Sequence, residues 1–181
     1  MKVDWVYTEL AAFYDKRADY SAKALDAMLA DTGIGRDSRV ADIGAGTAKL
    51  ALPLARRGLV VDAIEPNDEM RRFGISNTQG ERVTWHDGTG ENTGLPAKTF
   101  KLATFGSSFN VVKPETALKE VSRILEPRGW MACMWNHRDL DEPRYGRIAE
   151  RLWDDLDVHP RYGAEQRNED DQRAGDQCCR E

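Results

Sequence analysis

The sequence has few cysteines and no excess of positive charge. Three of its 181 residues are cysteine, and two of these, Cys178 and Cys179, are adjacent in a polar stretch. This excludes a disulfide framework and indicates a reducing compartment. No set of Cys and His residues has the spacing of metal ligands, so we expect no metal site. The net charge of -5 argues against a nucleic-acid partner and against an anionic membrane surface.

Long apolar runs are also absent. No run approaches membrane-spanning length, and the N-terminus carries Asp4, Glu9 and Asp15 where a signal peptide would have its apolar core. We therefore expect a cytoplasmic protein with no membrane partner. The length suits one domain with a proper core, assigned to residues 1–158. Residues 159–181 are mainly charged and amide side chains with no apolar period, and are predicted to form a disordered tail.

A glycine turn lies in the stretch Val40–Leu50. An apolar, β-forming run leads into Gly44 and Gly46, and helical spacing follows. Such a turn lets backbone N–H groups approach a ligand closely, and the helix N-terminus behind it favours an anionic group. The dinucleotide fingerprint needs a third glycine where this chain has Lys49. A nicotinamide-dependent oxidoreductase is therefore disfavoured.

The same stretch resembles motif I of the class I S-adenosylmethionine-dependent methyltransferases, in which an acid precedes Gly-x-Gly-x-Gly. Asp42, Gly44 and Gly46 match this pattern, and Ala48 stands at the third glycine. The resemblance implies S-adenosylmethionine as the cofactor and places Asp42, Gly44, Ala45 and Gly46 in its binding site. A glycine turn of this kind also occurs as a purely structural connection.

An acidic residue follows the next apolar run. Glu65 would stand at the carboxyl end of the strand beside the glycine turn, where a carboxylate can accept hydrogen bonds from both hydroxyls of a ribose. The alternative is a carboxylate that only complements the dipole of the helix starting at Pro66. The run from Glu65 to Met70 resembles the family's second cofactor motif, which implies that Glu65, Pro66 and Met70 contact the cofactor.

Two further segments enter the site through the same resemblance. The glycine-rich loop Asp87–Pro96, after the predicted third strand Val83–His86, would hold the adenine through Thr89 and Gly90, with Glu91 close by. Near the N-terminus, Arg17 and Tyr20 would lie over the methionine end of the cofactor. A plain surface turn and a solvated arginine beside a half-buried tyrosine would give the same sequence pattern.

The residues after the predicted fourth strand, Phe100–Phe105, are candidates for the acceptor site. In an open α/β sheet the ligand lies at the carboxyl ends of the strands where the strand order reverses, between strands one and four. Gly106 is therefore assigned to the cofactor, and Ser107, Phe109 and Asn110 to the substrate. Methyl transfer is an in-line displacement that mainly requires alignment. If an acceptor hydroxyl must lose a proton, His137 is the nearest candidate base.

The resemblance implies an α/β fold, a Rossmann-like doubly wound sheet of strand order 3-2-1-4-5 in which residues 1–35 form a helical cover. The helix over Pro114–Leu125 is predicted to place Leu118, Val121, Ile124 and Leu125 inward. The family's final 7-6 hairpin is expected to be missing, because the tail offers no sequence for it. Residues 130–135 would then be an apolar edge through which a homodimer could form.

The sequence thus predicts an S-adenosylmethionine-dependent methyltransferase acting on a small-molecule methyl acceptor. One alternative is a truncated, inactive remnant or a partner subunit that still binds the cofactor. A second and less favoured alternative is the nicotinamide-dependent oxidoreductase. The acceptor itself is not encoded in any recognisable pattern, because a serine, a phenylalanine and an asparagine form a mixed wall that excludes little.

Overall fold

The computed structural model describes Tyr14 and residues 16–136, all within a compact unit that ends at Asn136. In chain order the elements are α1 (Ala22–Thr32), β1 (Arg39–Ile43), α2 (Ala51–Arg56), β2 (Val60–Ile64), α3 (Asp68–Asn77), β3 (Val83–His86), β4 (Phe100–Gly106), a 3-10 turn (Phe109–Val111), α4 (Pro114–Ile124) and β5 (Leu125–Met134). No helix in this part of the chain is both long and apolar enough to cross a bilayer. The predicted domain end at residue 158 and the predicted tail lie outside the described residues.

Within the described residues the strands form one parallel sheet of order β3-β2-β1-β4-β5. The central strand β1 pairs with β2 on one side and with β4 on the other, so that Asp42 lies opposite both Ala63 and Thr104. The predicted α/β fold and its strand order are confirmed. Because the order reverses between β1 and β4, a ligand is expected at the carboxyl ends of these strands.

The core lies on both faces of the sheet. Strands β1, β2 and β4 are buried along most of their length because both faces of the sheet are covered, as is usual for parallel sheets. One buried cluster joins the sheet to α1 and α2 and includes Leu25, Leu50, Leu54, Val61 and Leu102. The other joins it to α4 and includes Ile43, Ile64, Phe100, Phe105 and Ile124.

Helix α4 turns a different face inward from the predicted one. Val121 and Ile124 are buried as expected, but Leu118 is 47% exposed, and Ala117 and Glu120 are buried in its place. These four buried positions follow the i, i+3, i+4, i+7 spacing of a single helical stripe. The prediction for Leu118 is therefore wrong, since the stripe runs through a glutamate that an apolar pattern passes over.

Strand β5 begins earlier than the predicted strand. Phe100 pairs with Leu125, and Leu102 pairs with Trp130 after a register break, so residues 126–129 form an irregularity within the strand. Within the described residues β5 pairs only with β4, and Trp130 is 51% exposed. The residues that could form a further hairpin lie outside this part of the chain. A homodimer through β5 stays a prediction.

Candidate functional site

The glycine turn is held by the end of strand β2. The backbone N–H groups of Gly44 and Ala45 both donate to the carbonyl oxygen of Ile64, at 2.8 and 3.0 Å. Gly44 has a φ of +70°, and a Cβ atom added there would lie 2.6 Å from Cβ of Ser108. Both the left-handed backbone and the close approach therefore require glycine. The turn connects β1, β2 and the segment after β4 at a single point.

Ala48 occupies a backbone conformation that favours glycine. Its φ is +75°, and its side chain is buried. A non-glycine residue in this region costs about 1–2 kcal/mol. Ala48 in place of the third glycine of the family pattern therefore adds backbone strain as well as a methyl group.

Glu65 connects the turn to helix α3. Its Oε2 accepts a hydrogen bond from the backbone N–H of Gly46 at 2.9 Å, and its Oε1 accepts one from the N–H of Asn67 at 2.9 Å. The side chain is 7% exposed, and burial raises the pKa of Glu65 against the lowering effect of these two N–H groups and of Arg71. Each carboxylate oxygen has a second lone pair available for a further hydroxyl donor.

Asp42 is a second buried acid at the end of β1. Its Oδ1 accepts a hydrogen bond from Oγ1 of Thr104 at 2.9 Å. Burial raises the pKa of Asp42 to about 7, an effect that the Thr104 hydrogen bond opposes and the charge of Glu65 increases. Within residues 14 and 16–136, Oδ2 of Asp42 and Oγ1 of Thr47 are buried without a hydrogen-bond partner. Two buried acids and unpaired polar atoms favour a ligand that carries positive charge and hydrogen-bond donors.

The loop after β3 crosses the carboxyl ends of β1 and β2. A Cβ atom at Gly90 would lie 2.6 Å from Cγ1 of Val112 and 3.6 Å from Cγ2 of Ile43. Thr89 and Asn92 pair across the turn through backbone hydrogen bonds of 3.0 and 3.2 Å. Thr89 and Gly90 therefore lie at the same end of the sheet as Gly44 and Glu65.

Glu91 is directed toward helix α4. Its Oε1 accepts a hydrogen bond from the backbone N–H of Lys113 at 2.7 Å, and this bond lowers the pKa of Glu91. Lys113 is the N-cap residue of α4 and makes no side-chain cap of its own. The carboxylate therefore attaches the loop to the beginning of the helix.

Residues predicted for the cofactor and residues predicted for the acceptor meet at the end of β4. Oη of Tyr20 lies 3.1 Å from Oγ of Ser107, so this tyrosine reaches the end of β4. A Cβ atom at Gly106 would lie 3.0 Å from the same Oη. Phe109 packs edge-to-face on Phe105, with ring centroids 5.1 Å apart.

Of the five remaining predicted residues, three are exposed, one lies outside the described residues and one is buried beneath the turn. Asn110 is exposed, as are Pro66 and Arg17, and the guanidinium of Arg17 lies over the ring of Tyr14 at 4.4 Å. His137 lies outside the described residues, so its role as a base stays a prediction. Met70 is buried beneath the turn, with its methyl group 3.2 Å from a Cβ atom placed on Gly46.

Three contributors to the site were missed in the sequence. Oγ of Ser108 donates to the carbonyl oxygen of Ile43 at 2.6 Å, Thr104 donates to Asp42, and Glu120 contacts the loop after β3. Ser108 and Thr104 are small polar residues without a motif, and their only signal is their place at the end of β4. Glu120 could be recognised only from the period of the buried stripe on α4.

Comparison with known families identifies the class of protein. Residues 41–133, about half of the chain, match the family described as "Methyltransferase domain". The matched range includes both buried acids, the glycine turn and the loop after β3. The chain therefore belongs to the methyltransferase domain family.

Curated relatives agree with this assignment. An uncharacterized methyltransferase of Mycobacterium tuberculosis is 32% identical over 141 residues, which are 78% of this chain and 54% of the relative. A demethylmenaquinone methyltransferase of Streptomyces avermitilis is 34% identical over 120 residues, 64% of this chain and 47% of the relative. The chain spans about half the length of the curated relatives it matches. Their additional length does not by itself support the predicted truncation.

Solved structures share the fold at low identity. An S-adenosylmethionine-dependent methyltransferase from Aquifex aeolicus superposes with a TM-score of 0.55 at 18% identity, over 72% of this chain and 77% of the other. The [4+2]-cyclase SpnF superposes with a TM-score of 0.57 at 21% identity, over 65% of this chain and 46% of the other. Because a cyclase shares it, the fold alone does not define the reaction.

S-adenosylmethionine is the cofactor that the family implies, and the residues present fit it. The Glu65 carboxylate retains lone pairs for hydroxyl donors, and Asp42 provides a buried acid for a cationic group. At Gly44 and Gly46 the absence of side chains lets the backbone pack closely against Ser108 and Met70, which fixes the shape of the turn that the ligand would meet. No group of three or more potential metal-ligating side chains occurs in the described part of the chain.

Proposed function

We propose that this protein transfers a methyl group from S-adenosylmethionine to a small-molecule acceptor. The observation that carries the proposal is Glu65, whose two carboxylate oxygens bind the N–H groups of Gly46 and Asn67 at 2.9 Å each. This arrangement orients a buried carboxylate at the end of β2 before any ligand arrives. The two hydroxyl groups of a ribose require a hydrogen-bond acceptor that is already held in place, and this carboxylate meets that requirement.

The chain's own residues would act mainly by positioning. When bound, S-adenosylmethionine supplies a methyl group on a sulfonium that is activated for in-line displacement. Glu65 would hold the ribose, and Asp42 would balance positive charge at the other end of the glycine turn. Tyr20 and Ser107 would bound the space where the acceptor meets the methyl group and would exclude water from it. His137 stays the candidate base for an acceptor that must lose a proton.

A compact aromatic acceptor is the first class to test. The Streptomyces avermitilis relative is named a demethylmenaquinone methyltransferase. A relative from Rubrivivax gelatinosus, 29% identical over 98 residues, is named a ubiquinone/menaquinone biosynthesis C-methyltransferase. Phe109 offers a half-buried ring near the end of β4 against which such an acceptor could stack. The cytoplasmic location and the absence of nucleic-acid and membrane partners stay predictions with this proposal.

Calorimetry followed by a transfer assay tests the proposal. Titration with S-adenosylmethionine and S-adenosylhomocysteine should show binding, and an acceptor panel containing quinones, phenols and amines should show transfer of a labelled methyl group. Binding without transfer to any acceptor would support the alternative of an inactive cofactor-binding protein. Binding of a nicotinamide dinucleotide in place of both ligands would contradict the proposal.

A further inference from the structure

A buried carboxylate joins the loop after β3 to helix α4. Oε1 of Glu120 accepts hydrogen bonds from the backbone N–H of Thr93 at 2.9 Å and from Oγ1 of Thr93 at 2.5 Å. Oγ1 of Thr93 in turn accepts a bond from the N–H of Leu95 at 3.2 Å. Glu120 is 8% exposed, and Thr93 is fully buried. We call Glu120, Thr93 and Arg123 the Glu120 clamp.

Arg123 neutralises the charge within this clamp. Its Nε lies 2.7 Å from Oε2 of Glu120 and its Nη2 lies 2.8 Å from Oε1, while Nη2 also donates to the carbonyl oxygen of Leu95 at 2.8 Å. The Arg123 hydrogen bonds, followed by those from Thr93, lower the pKa of Glu120 to about 2. The carboxylate is therefore charged at neutral pH. Loss of one partner would leave a charge without compensation.

The clamp acts beside the turn predicted to hold the adenine. Thr93 directly follows Asn92, which closes that turn by pairing with Thr89. On the other side of the turn, Gly90 packs against Ile43 at the end of β1. Glu91 provides a second attachment through the N–H of Lys113. Helix α4 therefore holds the loop through Glu120, through Arg123 and through the N–H of its N-cap residue Lys113.

We propose that Glu120 is a positioning residue for the cofactor, which acts by holding Thr93 and thereby placing the Thr89–Asn92 turn against the end of β1. The inference rests on the proposed function, because it assigns the turn to the adenosine end of that cofactor. An apolar side chain at position 120 could fill the same space on the buried stripe of α4 without contacting the loop. The carboxylate is what connects the helix to the loop.

Two Glu120 variants and a matched control test the inference. Glu120→Ala removes the clamp, and Glu120→Gln keeps an acceptor for the Thr93 N–H but lowers the charge. The control is Asp62→Asn, which alters another buried carboxylate whose side chain bonds Arg39 at 2.9 Å and His86 at 2.8 Å instead of residues 88–95. If an alanine at position 120 prevents folding, Thr93→Val with Thr93→Ser as its rescue replaces it.

The expected result is a selective loss of adenosine affinity. Glu120→Ala should weaken binding of both S-adenosylhomocysteine and adenosine by about tenfold, the effect expected if the turn is correctly placed in only about a tenth of the molecules. Glu120→Gln should show a smaller loss, and kcat at saturating cofactor should change little. Asp62→Asn should leave both affinities unchanged even if it lowers Tm. Amide hydrogen exchange over residues 88–95 should accelerate in the Glu120 variants and not in Asp62→Asn.

Two outcomes would overturn the inference. One is unchanged affinity in Glu120→Ala while the wild-type chain binds, and the other is unchanged exchange over residues 88–95. A wild-type chain that binds none of the adenosine ligands would instead refute the proposed function. In that case the exchange measurement still decides whether Glu120 places the loop.

Discussion

The two halves of the site are constructed from different kinds of contact. The cofactor half, residues 42–48 with Glu65, consists of neighbouring strand ends joined by hydrogen bonds to backbone N–H groups. The half that we propose for the acceptor consists of residues 18–20 and 106–110 with Asn136, and it includes Tyr20 and Gly106, which the sequence assigned to the cofactor. Its segments are distant in the chain and meet through side chains, with Oη of Tyr20 3.1 Å from Oγ of Ser107 and Nδ2 of Asn136 donating to the carbonyl oxygen of Ala18 at 3.0 Å.

The cofactor half is also more deeply buried than the acceptor half. Asp42 and Glu65 are buried, whereas Ser107 is half-buried and Asn110 is exposed. An ion pair between Asp19 and Lys49, 2.9 Å long, joins the acceptor half to the residue that directly follows the glycine turn. The cofactor half is therefore preorganised by the sheet. The acceptor half instead depends on residues 18–20 being held in place by the contacts of Tyr20 with Ser107 and of Asn136 with Ala18.

The largest expected effect is on the glycine turn. Gly44→Ala adds a Cβ atom 2.6 Å from Cβ of Ser108 at a φ of +70°, so it should lower the free energy of unfolding by about 3 kcal/mol. The control is Gly33→Ala, which has a φ of +65° with no atom within 4 Å of the added Cβ and should cost about 1 kcal/mol. Denaturant unfolding measures both. Equal losses would mean that close approach to Ser108 does not limit the turn.

A second variant tests the buried carboxylate of the cofactor half. Glu65→Gln cannot accept hydrogen bonds from both Gly46 and Asn67, and it should weaken S-adenosylmethionine binding by about 30-fold, within the range for hydrogen bonds to a charged group. Glu81→Gln is the control, because Glu81 forms a surface ion pair with Arg56 at 3.2 Å. Calorimetry gives both affinities. A Glu65→Gln protein that binds as tightly as Glu81→Gln would remove Glu65 from the site.

Asp42 predicts a pH dependence of binding. Its pKa is raised from an ordinary 3.8 to about 7, so the free protein binds a proton more tightly than the unfolded chain, and its contribution to stability falls as pH rises from about 4 to about 7. A cationic ligand favours the ionised form. Affinity for S-adenosylmethionine should therefore increase toward pH 7, by up to about tenfold per unit, and then level off.

Asp42→Asn supplies the control for this pH dependence. The amide cannot ionise, so the affinity should become flat across the same range while Glu65 still contributes its hydrogen bonds. Calorimetric titrations at several pH values compare the two proteins. Parallel pH profiles in wild type and Asp42→Asn would assign the titration to another group.

The smallest expected effect is in the acceptor half. Tyr20→Phe removes the hydroxyl near Ser107 and should raise the KM for the acceptor about threefold, with a stability loss of about 1 kcal/mol, while leaving cofactor affinity unchanged. Tyr14→Phe is matched, because it keeps the ring that lies under Arg17. Steady-state kinetics with each substrate varied in turn separate the two constants. A larger effect on the cofactor than on the acceptor would place Tyr20 in the cofactor half.

Short-range patterns were sufficient to predict most of the cofactor half. Gly44, Gly46 and Glu65 lie at the ends of apolar runs, and the family that these motifs resemble implied the strand order that the sheet shows. Leu118 and Glu120 were not predicted correctly. Val121 and Ile124 are compatible with two neighbouring stripes of the helix, and the folded chain buries the stripe that contains Ala117 and Glu120 instead of the one that contains Leu118. Burial of Glu120 becomes favourable only when Arg123 and Thr93 are already in place.

The sequence by itself determined the class of fold and the position of the cofactor turn, since both follow from local periodicity and from the backbone freedom of glycine. Only the tertiary structure decided which polar side chains meet across the sheet. It brought Ser108 onto the turn, Tyr20 onto Ser107 and Glu120 onto the loop after β3. Such contacts join residues far apart in the chain, and no local preference specifies a partner that the folded sheet alone places within reach.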